Sequence, residues 1–227
     1  MKRMTVACSW SGGKDSTLAC YHAIQEGYDV KYLLNFISQE FRRVAFHGAK
    51  DDLLRLQAEA VGIEVFQKET TRDGYESQFI EAVKHLKEKS IEALVCGDIH
   101  LTGCKDWVEK ACKESGVLAI EPLWGRKPFD VINEFVDLGF ETVIASTQAA
   151  KLDKDWIGRK IDKKFISDLQ AKEGVDICGE NGEFHTFVFD GPIFKKRVEI
   201  LKTDVVMREG YWFLDIQEYR LKEKKGK

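Results

Sequence analysis

The chain predicts an α/β fold, a doubly wound parallel sheet with a smaller β-rich C-terminal domain. Three observations carry this expectation. Short apolar, strand-like runs alternate with helix-period segments through about residue 146. A Gly-rich loop, Ser11-Gly12-Gly13-Lys14-Asp15-Ser16, joins the first such strand to the first helix. Beyond residue 146 the pattern changes to one charged segment and then closely spaced strands. Strand–helix alternation builds a parallel sheet with helices on both faces. The expected domains are therefore 1–146 and 147–227.

The elements follow in order. Strands are expected at Thr5–Trp10, Lys31–Phe36, Glu64–Gln67, Ala93–Cys96, Val117–Ile120 and Thr142–Ala145. The first helix begins at Thr17. A second, Ala49–Val61, carries Leu53, Leu54, Ala58 and Val61 at helical spacing and stops at Gly62. Tyr75–Lys89 places Phe79, Ile80, Val83 and Leu86 on one face. Gly103–Ser115 carries Trp107, Val108, Ala111 and Cys112, and Phe129–Leu138 carries Val131, Ile132, Phe135 and Val136. In the second domain a charged helix over Lys154–Lys172 buries Trp156, Ile157, Ile161, Phe165 and Leu169. Strands then fall at Phe184–Phe189, Val198–Lys202, Asp204–Met207 and Tyr211–Leu221, with a hairpin turn at Arg208-Glu209-Gly210.

Composition narrows the function classes. The apolar share of 44% over 227 residues can build a sizeable core. A net charge of −3 argues against a surface made to grip nucleic acid. Neither a leader pattern nor a run long enough to span a membrane is visible, so a cytoplasmic protein with no membrane partner is expected. None of the six cysteines forms a C-x-x-C pair, which disfavours a zinc ribbon or dithiol site. Cys8, Cys20 and Cys96 read as small buried hydrophobes, and Cys104 and Cys112 as packing residues on roughly one helix face.

The Ser11–Ser16 loop carries the chemistry. A Gly pair between strand and helix lets the backbone approach an anion, and the first N–H groups of the helix have no intrahelical partners. Lys14 adds positive charge, and Ser11 and Ser16 add hydroxyl donors. These are the parts of a phosphate cradle. The loop is not a Walker A sequence, because Cys8 stands where its first Gly belongs and Asp15 where Ser or Thr follows the Lys. Ligands of such sheets bind beyond the carboxyl ends of the strands, where Gly97-Asp98 and His47-Gly48 also fall. A second cluster, Gly179-Glu180-Asn181-Gly182-Glu183-Phe184-His185-Thr186, holds two carboxylates on a tight turn ahead of a strand closed by Asp190-Gly191-Pro192.

Ser-Gly-Gly-Lys-Asp-Ser resembles the pyrophosphate loop of the PP-loop ATP pyrophosphatases. With the second cluster, Asp190-Gly191-Pro192, Gly97-Asp98 and Pro122-Leu123-Trp124, nearly the whole chain resembles the diphthine–ammonia ligase family. Asn181, Phe184 and His185 stand where that family has Gly, Tyr and Glu, and His100–Lys105 departs from a Ser-x-Tyr-Gln-type run. The resemblance implies an adenine-nucleotide α-hydrolase-like fold and ATP-dependent amide synthesis from a carboxylate and ammonia. Diphthine on elongation factor 2 is the acceptor it implies, with a different carboxylate left open by the departures.

The implied roles are these. Ser11, Gly12, Gly13 and Ser16 hold phosphates, and Lys14 balances charge on the leaving pyrophosphate. Asp15 braces the loop or helps hold Mg²⁺, a cofactor inferred from ATP chemistry. Gly97 admits the nucleotide to the backbone, and Asp98 orients Mg²⁺ or the amine. His47 contacts nucleotide. Glu180 and Glu183 bind or deprotonate ammonium, and His185 serves as a base. Two other readings stay open at this point: a PP-loop tRNA-modifying enzyme and a non-catalytic ATP or AMP sensor. An exposed edge of the β-rich domain is where a second copy could pair as a homodimer.

Overall fold

The computed structural model describes residues 3–224 apart from 41, 45–47 and 72. The chain divides into two compact units. The first takes in the described residues of 1–11, 15–45 and 63–125, and the second those of 12–14, 46–62 and 126–227. Compactness thus draws its line earlier in the chain than residue 146 and gives the second unit two short pieces of the N-terminal half.

The first unit is built on a parallel sheet of five strands, β1 (Thr5–Ser9), β2 (Asp29–Ser38), β3 (Glu64–Thr70), β4 (Ala93–Val95) and β5 (Leu118–Ile120). Their order is β3-β2-β1-β4-β5. The chain runs outward from β1 to β3 and then returns to β4 on the other side of β1. The reversal of strand order therefore lies between β1 and β4, the place where such sheets bind ligands.

Helices cover both faces, because alternate strand residues point to opposite sides. Ala7, Leu34 and Leu94 share one core with Phe79, Ala82, Val83 and Leu86 of α3 (Tyr75–Glu88) and Val108, Ala111 and Cys112 of α4 (Thr102–Ser115). Helix numbering counts α1 (Lys14–Gln25) and α2 (Asp51–Val61) before these. On the opposite side of β1, Cys8 meets Cys20 of α1, and both are buried. Cys112 is buried, but Cys104 is exposed, against the expectation of a shared face. Eight residues at 3.6 per turn leave the two side chains about 80° apart.

The second unit contains an antiparallel sheet in the order β7-β6-β9-β8, with β6 at Glu141–Gln148, β7 at Phe184–Asp190, β8 at Lys196–Arg208 and β9 at Tyr211–Glu223. The run at Thr142–Ala145 therefore does not extend the parallel sheet. It is the middle of β6, which pairs antiparallel with β7 and β9. Helix α2 packs against β8 and β9. Helix α5 (Pro128–Asp137) and helix α6 (Lys163–Gln170) complete the unit.

Two further expectations are corrected. The single helix over 154–172 is a short 3-10 turn at Lys154–Trp156 and then α6. Between them the backbone runs extended: the Ile144 N–H donates to Arg159 O at 2.9 Å and the Ile161 N–H to Thr142 O at 3.3 Å. Pairing beside β6 thus overrides local helical periodicity. The apolar residues still meet, with Phe165 edge-on to Trp156 at 5.5 Å and to Phe184 at 5.9 Å. The two strands expected before the hairpin are one strand, β8, which crosses its irregular residues with shifts of register between Ile200 and Thr203. Such shifts bend a strand without ending it. The hairpin turn itself stands as expected, with Glu209 and Gly210 both at positive φ (48° and 82°). Among the described residues, no helix is long and apolar enough to cross a membrane.

Candidate functional site

The loop between β1 and α1 leaves the carboxyl end of β1. Ser11 Oγ and Ser16 Oγ lie 3.2 Å apart across it. Gly12, at φ +80°, has no room for a side chain: a Cβ there would stand 2.6 Å from Leu54 Cδ1 and 2.7 Å from Gln57 Oε1. Gln57 itself is fully buried. Its Nε2 donates to Gly12 O at 2.9 Å and to Val188 O at 2.6 Å, while the Val188 N–H donates to Gly12 O at 3.0 Å. The loop backbone is thus held by α2 and β7 within the second unit.

Lys14 opens α1. Its N–H donates to Thr186 Oγ1 at 2.9 Å. Its side chain, 4% exposed, donates from Nζ to the Cys178 carbonyl and lies over the Phe184 ring at 5.3 Å. The loop lysine and the Gly179–Thr186 cluster are therefore in direct contact, a link that no spacing in the sequence reveals. Thr186 and Gln57 are the residues that sequence reasoning passed over here. A Gln at helical spacing among Leu53, Leu54 and Val61 was the available signal.

The Gly179–Thr186 turn is organised around two carboxylates. Asp176 Oδ1 accepts from the Cys178 N–H at 2.7 Å and the Glu180 N–H at 3.3 Å. Glu183, 3% exposed, accepts from the Asp176 N–H at 2.9 Å on Oε1 and the Asn181 N–H at 3.1 Å on Oε2. Asn181 Nδ2 adds a third donor to Oε1 at 3.3 Å. Both oxygens of Glu183 are engaged by the turn, so the side chain is built as a brace. Glu180 is half-buried, as is His185, which sits opposite Ser146 in the β6–β7 pairing.

In the first unit, Gly97 and Asp98 follow β4 at the same sheet edge as Asp15 and Ser16. A Cβ on Gly97 would stand 2.7 Å from the Asp15 carbonyl carbon and 3.0 Å from the Ser16 nitrogen. Gly97 thus lets the β4 loop close on the first turn of α1. Gly97→Ala is expected to force these backbones apart at a cost of about 1–3 kcal/mol and to weaken ATP binding; thermal melting and nucleotide titration of the variant check both. Burial raises the Asp98 carboxyl above the usual range, a backbone hydrogen bond lowers it, and the charge of Asp15 raises it further. Two carboxylates that repel one another in this way fit a cation. Among the described residues no three metal-ligating side chains converge. A Mg²⁺ carried by nucleotide phosphates and water needs only one or two protein carboxylates, which Asp15 and Asp98 can supply.

Glu121, the residue after β5, was not singled out in the sequence. Its side chain is 6% exposed, and its Oε2 lies 3.7 Å from Lys105 Nζ. Its carboxyl is raised to about 6, by burial first and then by the charges of Asp98 and Glu109, with Lys105 opposing. A raised carboxyl binds a proton more tightly folded than unfolded, so its stability contribution is largest at low pH and is lost as pH climbs from about 4.5 to about 6. Glu121→Gln is expected to gain up to about 2 kcal/mol over the native chain at pH 7 and nothing at pH 4. Denaturant titrations at the two pH values check this.

His47 lies outside the described residues. His85 Nδ1 lies 3.8 Å from Glu88 on its own helix, and Arg126 pairs with Glu134 at 2.6 Å.

A strand order that reverses between β1 and β4, with a Ser-Gly-Gly-Lys-Asp-Ser loop at that edge, defines an α/β nucleotide-binding protein of the PP-loop class. Residues 4–119 match the diphthamide synthase N-terminal domain, and residues 127–225 match the diphthamide synthase C-terminal domain. The chain belongs to the diphthamide synthase family. It is 29% identical to the diphthine--ammonia ligase of Mus musculus over 96% of this chain and 91% of that protein. The corresponding figures for the diphthine--ammonia ligase of Homo sapiens are 28%, 97% and 91%. For that of Schizosaccharomyces pombe they are 26%, 86% and 36%. A crystal structure of a predicted subunit of tRNA methyltransferase from Methanocaldococcus jannaschii, 14% identical, covers 83% of this chain and 100% of its own at a TM-score of 0.43, too loose a likeness to carry an argument.

Proposed function

We propose that the protein is an ATP-dependent carboxylate–ammonia ligase that completes diphthamide on elongation factor 2. The observation that carries the reading is the Ser11–Ser16 loop at the carboxyl end of β1 in a chain of the diphthamide synthase family. The acceptor carboxylate attacks the α-phosphorus of ATP, and pyrophosphate leaves. Ammonia then attacks the acyl carbon, the bond to AMP breaks, and the surplus proton is lost. The work of the protein is alignment and charge neutralisation.

Ser11, Gly12, Gly13 and Ser16 hold the phosphates, and Lys14 offsets charge on the departing pyrophosphate. Asp15 and Asp98 hold Mg²⁺, which supplies further charge neutralisation when bound. Glu180 and His185 face the acceptor or the amine, and Glu183 keeps their turn in shape. Residues 147–227 serve the acceptor, His47 lies near the nucleotide, and the enzyme works in the cytoplasm. The β8 edge is where a second copy would pair. The test is a mass spectrum of diphthine-bearing elongation factor 2 after incubation with the protein, ATP, Mg²⁺ and isotopically labelled ammonium. Labelled amide with equimolar AMP is expected. AMP without label on the factor would move the activity to another carboxylate.

A further inference from the structure

We propose that the stacked rings of Tyr75 and Trp107 bind the trimethylammonium group of the acceptor and so select the methylated substrate. The inference rests on the ligase reading above and deepens it. Diphthine carries its trimethylammonium on the carbon next to the carboxylate to be amidated, so a site for that group belongs beside the nucleotide phosphates.

Tyr75 opens α3, and Trp107 lies in the second turn of α4. Their ring centroids are 5.8 Å apart with planes 27° from parallel. Two buried rings back the pair: Phe79 at 4.7 Å from Trp107, and Phe36 at 5.3 Å from Tyr75. Tyr75 is 37% exposed and Trp107 half-buried, so ring surface stays open to a ligand. Elsewhere the chain fills such rings with its own cations: Lys89 lies over Tyr32, Lys105 over Trp124 and Arg159 over Trp156. Among the described residues no cation lies over Tyr75 or Trp107. A quaternary ammonium has no N–H to donate, so carboxylates and hydroxyls cannot hydrogen-bond it, and the negative faces of aromatic rings are the groups that hold it. The place fits as well. Tyr75 follows the end of β3 and Phe36 stands near the end of β2, so the rings gather at the carboxyl edge of the parallel sheet. Asp98 joins them to the phosphate loop. Burial first, then the charges of Cys96, Asp98 and Cys104, push the Tyr75 phenol up to about 12, which keeps it neutral. Gly97, next to Asp98, closes on the backbone of Asp15 and Ser16.

The test compares two forms of elongation factor 2 as acceptors for the full chain with ATP, Mg²⁺ and labelled ammonium. One bears diphthine, and the other bears the same side chain with an unmethylated amine. The native protein is expected to favour the trimethylated form at least tenfold in kcat/KM. Tyr75→Leu and Trp107→Leu should each lose most of that preference through a higher KM for the trimethylated factor, with the KM for ATP within about twofold. Tyr75→Phe keeps the ring and should keep the preference. A second readout is independent of turnover: saturation transfer from the methyl protons of tetramethylammonium chloride to the Trp107 indole, assigned by its loss in Trp107→Leu. Amide formation with no preference between the two factors, an equal loss toward both in the Leu variants, or a Tyr75→Phe protein as impaired as Tyr75→Leu would overturn the ring site alone. A native protein that forms no amide yet takes up tetramethylammonium at Trp107 would overturn the ligase reading and leave a quaternary ammonium site standing.

Discussion

Lys14→Met should lower pyrophosphate release by on the order of 10²–10³-fold, with most of the loss in the adenylation half-reaction. The reason is where charge develops. Cleaving ATP between its α- and β-phosphates concentrates negative charge on the leaving pyrophosphate, and a cation fixed beside it is worth several kcal/mol when water is excluded. Lys14 is 4% exposed and rises from the first residue of α1, whose N-terminus adds the same sign of potential. Met keeps most of the side-chain packing over Phe184. It leaves the Cys178 carbonyl without its Nζ donor, a cost of about 1–3 kcal/mol. Pyrophosphate exchange and a thermal melt of the same variant separate the two effects. Full exchange in a folded Lys14→Met protein would sink the phosphate role.

The second large effect is on stability. Glu183→Ala removes, from a buried side chain in a half-buried turn, the acceptor for two backbone N–H groups and one amide N–H. We expect a loss of about 3 kcal/mol, which for a chain of this size is a Tm lower by roughly 6–12 °C. Glu183→Gln should recover only part of it, since the amide turns one acceptor into a donor facing donors. Activity should fall for every substrate together, because the turn that carries Glu180 and His185 loses its frame. A Glu183→Ala enzyme with a native melt and a defect confined to ammonium would instead make Glu183 a base.

The contrast between Glu183 and Glu121 shows where reading a sequence stops. Strand–helix alternation and a Gly-Gly pair before a helix are local signals, so the parallel sheet and the place of the Ser11–Ser16 loop between β1 and α1 were legible. Spacing also exposed the Gly179–Thr186 turn, with two carboxylates that look alike on paper. What each one does depends on which N–H groups reach it, and the backbone decides that only after folding. Glu121 stands directly before Pro122-Leu123-Trp124, yet nothing in that run points to the Glu itself. Its interest comes from the burial that raises its carboxyl, a property of three dimensions. The same limit explains β6: an apolar run after a helix reads the same whether its partners are parallel or antiparallel. The segment at 154–172 failed for the opposite reason, since its helical periodicity was real and was overridden by pairing beside β6.

The three residues Gly12–Lys14 belong with the second unit, although the residues on either side of them belong with the first. This makes the halves poor candidates for exchange or separate expression. A fragment ending at Gly125 would keep the nucleotide loop in its sequence yet lack Thr186, Cys178 and Val188, which fix its backbone and its lysine. A C-terminal fragment would lack Gly12, Gln57 and the whole of α2. Recombination between relatives at the apparent seam near residue 126 would therefore pair a Gly12–Lys14 backbone from one parent with the Cys178, Thr186 and Val188 that hold it from another.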